Sequence, residues 1–266
     1  MRFFVVLLTA FCLSTVLFAQ DRVFNYTYQS GVLGKGEKEL EIWNTYRTGR
    51  SGFYHRMDTR AEFEIGLSRN LQTAFYLNYT SKATGYEVDS ISEIAHENDF
   101  SFSNEWKFKL SDPAANMIGS AFYGEITVGT TEFEIEAKVI LDKQIGRVTQ
   151  AFNIGFEPEW EWEPGIDEIA AHAEYKFEFN YGIGASLGKG WVLGAEMRNP
   201  NVYTDGAWAH SALYAGPTVS WAGSGFWVNL TLMPQVAGLR GKTPGQGLNL
   251  EEFERYEARL LFSVAL

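Results

Sequence analysis

Residues 53–80 show a pattern that recurs along most of the chain. The side chains of a β-strand alternate between the two faces of a sheet. In this stretch Phe63 and Ile65 fall on a largely apolar face, whereas Arg60 and Glu62 fall on a charged face. A short polar turn interrupts the stretch in the middle, and the alternation then resumes. The pattern predicts a β-hairpin with one apolar and one charged face.

The alternation continues to the last residue and predicts about twelve antiparallel strands. The fold class we expect is all-β: a closed antiparallel transmembrane β-barrel over residues 37–266, with both chain ends on the periplasmic side. An even number of strands, joined alternately by short turns and longer loops, is typical of such barrels. The longer loops are predicted at residues 81–99, 157–168, 199–207 and 237–252.

A secreted soluble β-sandwich or barrel is the chief alternative, because its apolar face would form a core. Aromatic residues near predicted strand ends, such as Trp106 and Trp191, favour the membrane, where they form girdles at the interfaces. The chain also ends on an alternating strand, with Tyr256, Ala258, Leu260, Phe262, Val264 and Leu266 on its apolar face.

On these features the mature chain resembles the outer-membrane β-barrel proteins of Gram-negative bacteria. It departs from them in ending on Leu266, where such proteins usually end on Phe. The resemblance implies a place in the cell outer membrane. It also implies three partners: outer-membrane lipid, lipopolysaccharide and the barrel-assembly machinery that reads the last strand.

Residues 1–19 have the layout of a secretory signal peptide: Arg2, an apolar run, and small residues before a cut after Ala19. A lipoprotein signal at Cys12 is disfavoured, because Phe11 stands where a small residue is required. Residues 20–36, called the lead segment below, are weakly patterned. We expect them to lie in the periplasm or to fold inward, and the pattern leaves open whether they plug the barrel.

Composition excludes several classes of function. The net charge of −11 argues against nucleic acid as a partner, because phosphate binding needs clustered Lys and Arg. The single cysteine lies in the predicted signal peptide, so the mature chain has no disulfide and no cysteine nucleophile or ligand. Nothing in the sequence predicts a cofactor or a metal site.

The charged face supplies the candidate functional residues. A charged side chain turned to lipid costs up to ~2–4 kcal/mol, so these residues are expected to face the lumen. One interpretation is a passive, porin-like channel for small hydrophilic solutes through a lumen of mixed charge. The pore-lining candidates are Arg56, Asp58, Arg60, Glu62, Glu64, Glu105, Lys107, Glu134, Glu136, Lys138, Glu174, Lys176, Glu178, Glu196, Arg198, Arg255, Glu257 and Arg259.

The second interpretation is a closed barrel filled by cross-strand salt bridges, with a structural or surface-binding role. That role would use two acidic outer loops. Such loops could also hold divalent cations, but no Asp-x-Asp-x-Asp-Gly spacing is present, so solvated loops are the favoured interpretation. Their acidic residues are Glu87, Asp89, Glu93, Glu97, Asp99, Glu157, Glu159, Glu161, Glu163, Asp167 and Glu168.

An enzyme is not expected, and a membrane-embedded hydrolase ranks third. The four histidines are His55, His96, His172 and His210, and no Gly-x-Ser-x-Gly nucleophile motif accompanies them. Gly182 and Gly184 resemble a dinucleotide-binding loop only superficially, since no helix follows them. Packing inside a barrel explains these two glycines.

Overall fold

The computed structural model describes residues 22–88, 91–162 and 171–266. The predicted signal peptide lies outside these residues. The described chain forms twelve antiparallel strands and, within these ranges, has no helix long and apolar enough to cross a bilayer. The strands are β1 (Lys38–Thr48), β2 (Tyr54–Gly66), β3 (Leu71–Val88), β4 (Ile91–Ser111), β5 (Gly119–Gly129), β6 (Glu132–Ile145), β7 (Val148–Trp162), β8 (Ala171–Gly188), β9 (Trp191–Thr204), β10 (Ala207–Ala222), β11 (Phe226–Arg240) and β12 (Tyr256–Ala265).

Each strand pairs with its neighbours in the sequence, and the first and last strands close the barrel. In that closing pair Glu39 lies opposite Ala265 and Thr48 lies opposite Tyr256. Closure leaves no strand edge with unpaired backbone groups, which is what a sheet inside a bilayer requires. The predicted fold class, an all-β antiparallel barrel, is confirmed.

The barrel has its apolar side chains outside and its polar side chains inside. In β3, Phe75 and Leu77 are 43% and 68% exposed on the outer face, whereas Ala74 and Tyr76, which alternate with them, are fully buried. Among the described residues the interior holds Glu62, Glu105, Glu125 and many other polar side chains at 2% exposure or less. A soluble sandwich or barrel would show the opposite arrangement. The apolar outer surface matches the band that faces lipid in membrane barrels.

Parts of the four predicted long loops prove to be strand, although residues 241–252 form a connection as predicted. β3 and β4 continue through most of residues 81–99, with Tyr86 opposite Glu93 and its hydroxyl donating a 2.8 Å hydrogen bond to that carboxylate. β7 extends to Trp162 and β11 to Arg240. The prediction was wrong because it required an apolar face, which a strand no longer needs once it has left the lipid.

Within the predicted loop 199–207, only Asp205 and Gly206 lie outside the strands, and they form a tight hairpin turn between β9 and β10. Asp205 and Gly206 have φ angles of 51° and 73°. Two successive positive φ values are characteristic of the type I′ turn, for which Asp-Gly is a preferred sequence. The dipeptide was therefore a signal for a short turn, and the strands run directly into it.

Replacing Ile126 with arginine tests which face of the barrel meets lipid. Ile126 lies on the outer face of β5 and is 51% exposed. We expect the variant to lose up to ~2–4 kcal/mol of unfolding free energy, because a charged side chain would be placed in hydrocarbon. Reversible denaturation in phospholipid vesicles measures the loss. Ile126→Leu is the control and should change little, whereas equal stability of the two variants would contradict a lipid-facing position.

Candidate functional site

The structure distributes the pore-lining candidates among three degrees of burial. Seven are buried: Glu62, Glu64, Glu105, Lys107, Lys138, Glu196 and Glu257. Ten are partly buried: Arg56, Asp58, Arg60, Glu134, Glu136, Glu174, Lys176, Glu178, Arg198 and Arg259. Arg255 differs from the rest because it precedes β12 and is exposed. That these residues line a conducting pore stays a prediction.

The first described residues of the lead segment lie inside the barrel. Residues 22–28 are all buried, although none of them belongs to a strand of the wall. Phe24, Asn25 and Thr27 are fully buried. Because the segment adds no strand to the sheet, its backbone must find hydrogen-bond partners among the side chains that point into the lumen.

Glu196 on β9 holds the backbone of the lead segment. Its carboxylate accepts hydrogen bonds from the backbone N–H groups of Asn25, Tyr26 and Thr27, at 2.9, 2.7 and 2.9 Å. The Thr231 hydroxyl donates a fourth, at 2.8 Å. A carboxylate that receives several N–H groups forms strong, charge-assisted hydrogen bonds. Glu196 was predicted to face the lumen, but no pattern in the sequence indicated this contact.

Asn153 on β7 provides a second attachment. Its side-chain oxygen accepts from the Tyr28 N–H at 2.6 Å, and its amide donates to the Tyr28 carbonyl at 2.9 Å. Asn153 therefore pairs with Tyr28 as a neighbouring strand would. In the part of the lead segment that precedes β1, the Leu33 N–H donates to the Gln72 side chain at 2.9 Å. Neither Asn153 nor Gln72 was among the predicted site residues, because uncharged amides gave no signal.

Phe24 packs into a seat formed by glycines. A Cβ added to Gly182 would lie 2.9 Å from three atoms of the Phe24 ring, and one added to Gly184 would lie 3.3 Å from that ring. Ala151 belongs to the same apolar cluster, and Val192 packs against it. The two glycines on β8 thus leave the ring the room it occupies. The sequence analysis attributed them to packing but did not identify the partner.

Ion pairs fill much of the remaining lumen. Arg198 on β9 contacts Glu178 on β8 at 2.7 Å and Glu257 on β12 at 2.9 Å. The second pair joins strands that are not neighbours, so it crosses the interior. Arg60 on β2 reaches Glu125 on β5 at 3.4 Å in the same manner. Each charge in these pairs meets an opposite one, so removing one partner would leave a buried charge without compensation.

Lys176 on β8 lies in an acidic cluster formed by residues of β6 and β7. Glu134, Glu157 and Glu159 can bring one oxygen each to within 4.8 Å of one another. Lys176 lies among them, 3.0 Å from Glu157 and in contact with Glu159. Glu157 and Glu159 were predicted in an acidic loop, but they belong to β7 and have Lys176 as a counterion. Asp89, Glu163, Asp167 and Glu168 of the predicted loops lie outside the described residues.

The connection between β11 and β12 contacts the connection between β1 and β2 at one end of the barrel. Glu254 in this connection forms a 2.8 Å ion pair with Arg50 from the β1–β2 connection, and the Tyr214 hydroxyl donates to its backbone carbonyl at 2.7 Å. Burial raises the pKa of the Glu254 carboxyl, but the nearby Arg47 and Arg50 more than offset this and hold the pKa below its usual value. Glu254 therefore stays charged and paired at neutral pH.

The histidines are dispersed. His55 contacts the exposed rings of Tyr46 and Phe53 on the outer face. His210 has its Nδ1 atom 4.0 Å from Glu252. His96 lies in β4, opposite Ala83. The described contacts of these three residues do not assemble a serine, histidine and carboxylate in one place, as a hydrolase would require.

Comparison with solved structures agrees with this architecture. The COG4313 outer membrane channel from Pseudomonas putida F1 is similar with a TM-score of 0.58 at 10% identity, over 89% of this chain and 98% of that one. The β domain of the Bordetella autotransporter BrkA is similar with a TM-score of 0.54 at 9% identity, over 87% and 100%. At these identities the shared property is the fold, and this protein has the fold of the outer-membrane β-barrels.

The sequence places the chain in one family. Residues 16–266 match the family described as "Family of unknown function (DUF6662)", and the chain belongs to it. No curated protein matches the sequence.

Proposed function

We propose that this protein is an outer-membrane channel for small hydrophilic solutes and that the lead segment closes it. The observation that carries the proposal is the seating of residues 22–28 inside the barrel as a separate piece of chain. A narrow barrel filled by its own side chains has no room for such a segment. Withdrawal of the lead segment would leave a passage with about the cross-section of a peptide chain.

The nature of the attachment supports a reversible closure. The lead segment is held by hydrogen bonds to Glu196, Asn153 and Gln72 and by the packing of Phe24, not by strand pairing. Such contacts can break while the wall stays closed, because every strand keeps both of its neighbours. The mixed charges of the eighteen candidate residues would then suit water and hydrophilic solutes. The fold shared with a protein that is itself an outer membrane channel also supports the proposal.

The proposal includes export and assembly. We infer that residues 1–19 direct secretion and that the barrel-assembly machinery inserts the mature chain into a membrane containing lipopolysaccharide. Both chain ends would then lie on the periplasmic side, so the lead segment would enter the lumen from the periplasm. No catalytic step and no cofactor is part of the proposed function.

A reversible cross-link between the lead segment and the wall tests the proposal. A Cβ on Gly119 would lie 2.7 Å from the Ser30 hydroxyl oxygen. Cysteines at these two positions would bring their Cβ atoms within about 4 Å, the separation found in disulfides. The Asp142 carboxylate and the Pro113 ring approach the same point and must shift slightly. We expect rare conductance steps from the mature protein in planar bilayers, none from the oxidised double variant, and their return after reduction.

The single variants Ser30→Cys and Gly119→Cys are the controls, and oxidant should not silence either of them. Openings that persist in the oxidised double variant would show that the lead segment does not close the channel. Two variants, Gly182→Val and Glu196→Gln, are expected to displace the lead segment. If neither the wild type nor these two variants showed any conductance steps, conduction would be excluded. The closed barrel with a structural or surface-binding role would then remain, an alternative that the ion pairs across the lumen favour.

A further inference from the structure

The Arg22 side chain occupies a defined position between the lead segment and the wall. Its guanidinium carbon is 3.9 Å from the Tyr28 ring centroid and 4.1 Å from that of Trp43 on β1. One of its nitrogens is 4.0 Å from a carboxylate oxygen of Glu41. Two others donate to the carbonyls of Phe24 and Asn25, at 3.2 and 3.3 Å. A cation over an aromatic face and beside a carboxylate is bound by two electrostatic attractions at once.

The wall around Arg22 carries an excess of negative charge. Glu41 lies directly opposite Glu62 in the pairing of β1 with β2, and Glu39 lies directly opposite Glu64. All four are buried. Carboxylates directly opposite each other repel, and their burial makes the repulsion stronger. A cation placed between them relieves this repulsion.

Glu62 is the carboxylate in this group that most needs a cationic partner. Its side chain is 0% exposed, and within the described residues no group donates a hydrogen bond to either of its oxygens. Glu39 differs, because it accepts hydrogen bonds from Trp227 and Ser263. Glu41 accepts one from Trp43 at 2.8 Å. A buried carboxylate without a donor indicates a position that another charged group can occupy.

The neighbouring space is small while the lead segment is seated. A cavity of about 20 Å³ is lined by Arg22, Tyr28, Glu41, Glu64 and Lys107 among others. The cavity is too small for a solute, so Arg22 fills the position a solute cation would take. When the lead segment leaves, Arg22 and Tyr28 leave with it, and Trp43 and the carboxylates remain on the wall.

We propose that Trp43, Glu41, Glu62 and Glu64 form a binding site for small organic cations that carry a guanidinium group, and that Arg22 is its internal occupant. The inference rests on the proposed function of the lead segment as a plug, and it names the solute class of the channel. A guanidinium is favoured over a simple metal ion because it is planar, stacks on Trp43 and donates several hydrogen bonds to carboxylates. A guanidinium solute would also compete with Arg22 for its site, so the solute itself would favour opening.

Calorimetric titration of the detergent-solubilised mature protein with L-argininamide tests the site. The Arg22→Gln variant should bind argininamide at least tenfold more tightly than the wild type, because the internal occupant has been removed. L-Citrullinamide has the same α-amino group but an uncharged ureido side chain of nearly the same shape, and it should not bind measurably. Adding Glu41→Gln or Trp43→Leu to Arg22→Gln should weaken binding at least tenfold. Glu132→Gln in the same background is the matched control, because Glu132 lies on β6 and is not one of the pore-lining candidates, and it should leave binding unchanged.

Equal binding of argininamide and citrullinamide, or no gain from Arg22→Gln, would overturn the inference. The wild-type chain gives a second measurement if Arg22→Gln fails to refold. Argininamide should then raise the frequency of openings in planar bilayers, and citrullinamide should not. Calorimetry does not require conduction, so the two proposals can fail separately. If the protein bound argininamide but not citrullinamide and showed no conductance, the channel would be overturned and the binding site supported. If it conducted without this selective binding, the channel would be supported and the binding site overturned.

Discussion

Replacing Gly182 with valine should displace the lead segment and raise the open fraction of the channel. A Cβ at this position would lie 2.9 Å from three ring atoms of Phe24, closer than carbon atoms approach without displacement. Overpacking of a filled site costs ~1–3 kcal/mol. If that cost falls on the seated state alone, the ratio of open to closed channels rises by about 5-fold to 150-fold. Single-channel recording of the refolded variant measures the open fraction directly.

The double variant Gly182→Val with Phe24→Ala separates displacement from general damage to the barrel. Removal of the ring makes room for the valine, so the lead segment should return to its position. The open fraction of the double variant should therefore be lower than the sum of the two single effects predicts. Gly155→Val on β7 is a control, because an added Cβ there meets nothing closer than the Lys138 Cγ atom at 3.6 Å. An open fraction in Gly182→Val equal to that of the wild type would contradict the seat.

The barrel could be predicted because the bilayer constrains every residue of a spanning strand. Phe75 must suit lipid and Tyr76 must suit a polar interior, so the alternation is visible in the sequence itself. Outside the lipid this constraint ends. Residues 81–88 pair with β4 although neither of their faces is uniformly apolar, and the same is true of residues 199–204 in β9. Strand ends beyond the membrane were therefore the least predictable part of the fold.

The position of the lead segment could not be predicted for a different reason. Phe24, Tyr26 and Tyr28 alternate with Asn25 and Thr27, as a wall strand would, yet the segment pairs with side chains instead of a neighbouring strand. Its partners are distant in the sequence: Glu196 is 171 positions from Asn25, and Asn153 is 125 positions from Tyr28. A surplus of inward acceptors such as Glu196 was visible, but the alternation does not say what donates to them.

The lead segment and the wall are electrostatically complementary. Seating the segment brings three backbone N–H groups to Glu196 and one guanidinium to the carboxylates around Glu41. A lumen without the segment would expose these carboxylates to water or to solute cations. In the proposed channel, the closed state would therefore be stabilised at the same sites that the open state offers to a permeating cation.

Replacing Glu196 with glutamine should open the channel by removing the main backbone attachment. The carboxylate accepts four hydrogen bonds, three of them from the lead segment. A glutamine has one oxygen acceptor, and its NH₂ group would face N–H groups that need an acceptor. Each buried donor left unsatisfied costs ~1–3 kcal/mol, so we expect at least about a tenfold rise in the ratio of open to closed channels.

Glu134→Gln is the matched control for Glu196→Gln. It removes the same charge from a carboxylate on β6 that lies beside Glu157 and Glu159. Its open fraction should stay near that of the wild type. Protease sensitivity of the lead segment provides a measurement independent of conduction, because a released segment is cut more readily. If Glu196→Gln remained as closed and as protected as Glu134→Gln, the side chain of Glu196 would not hold the lead segment in the lumen.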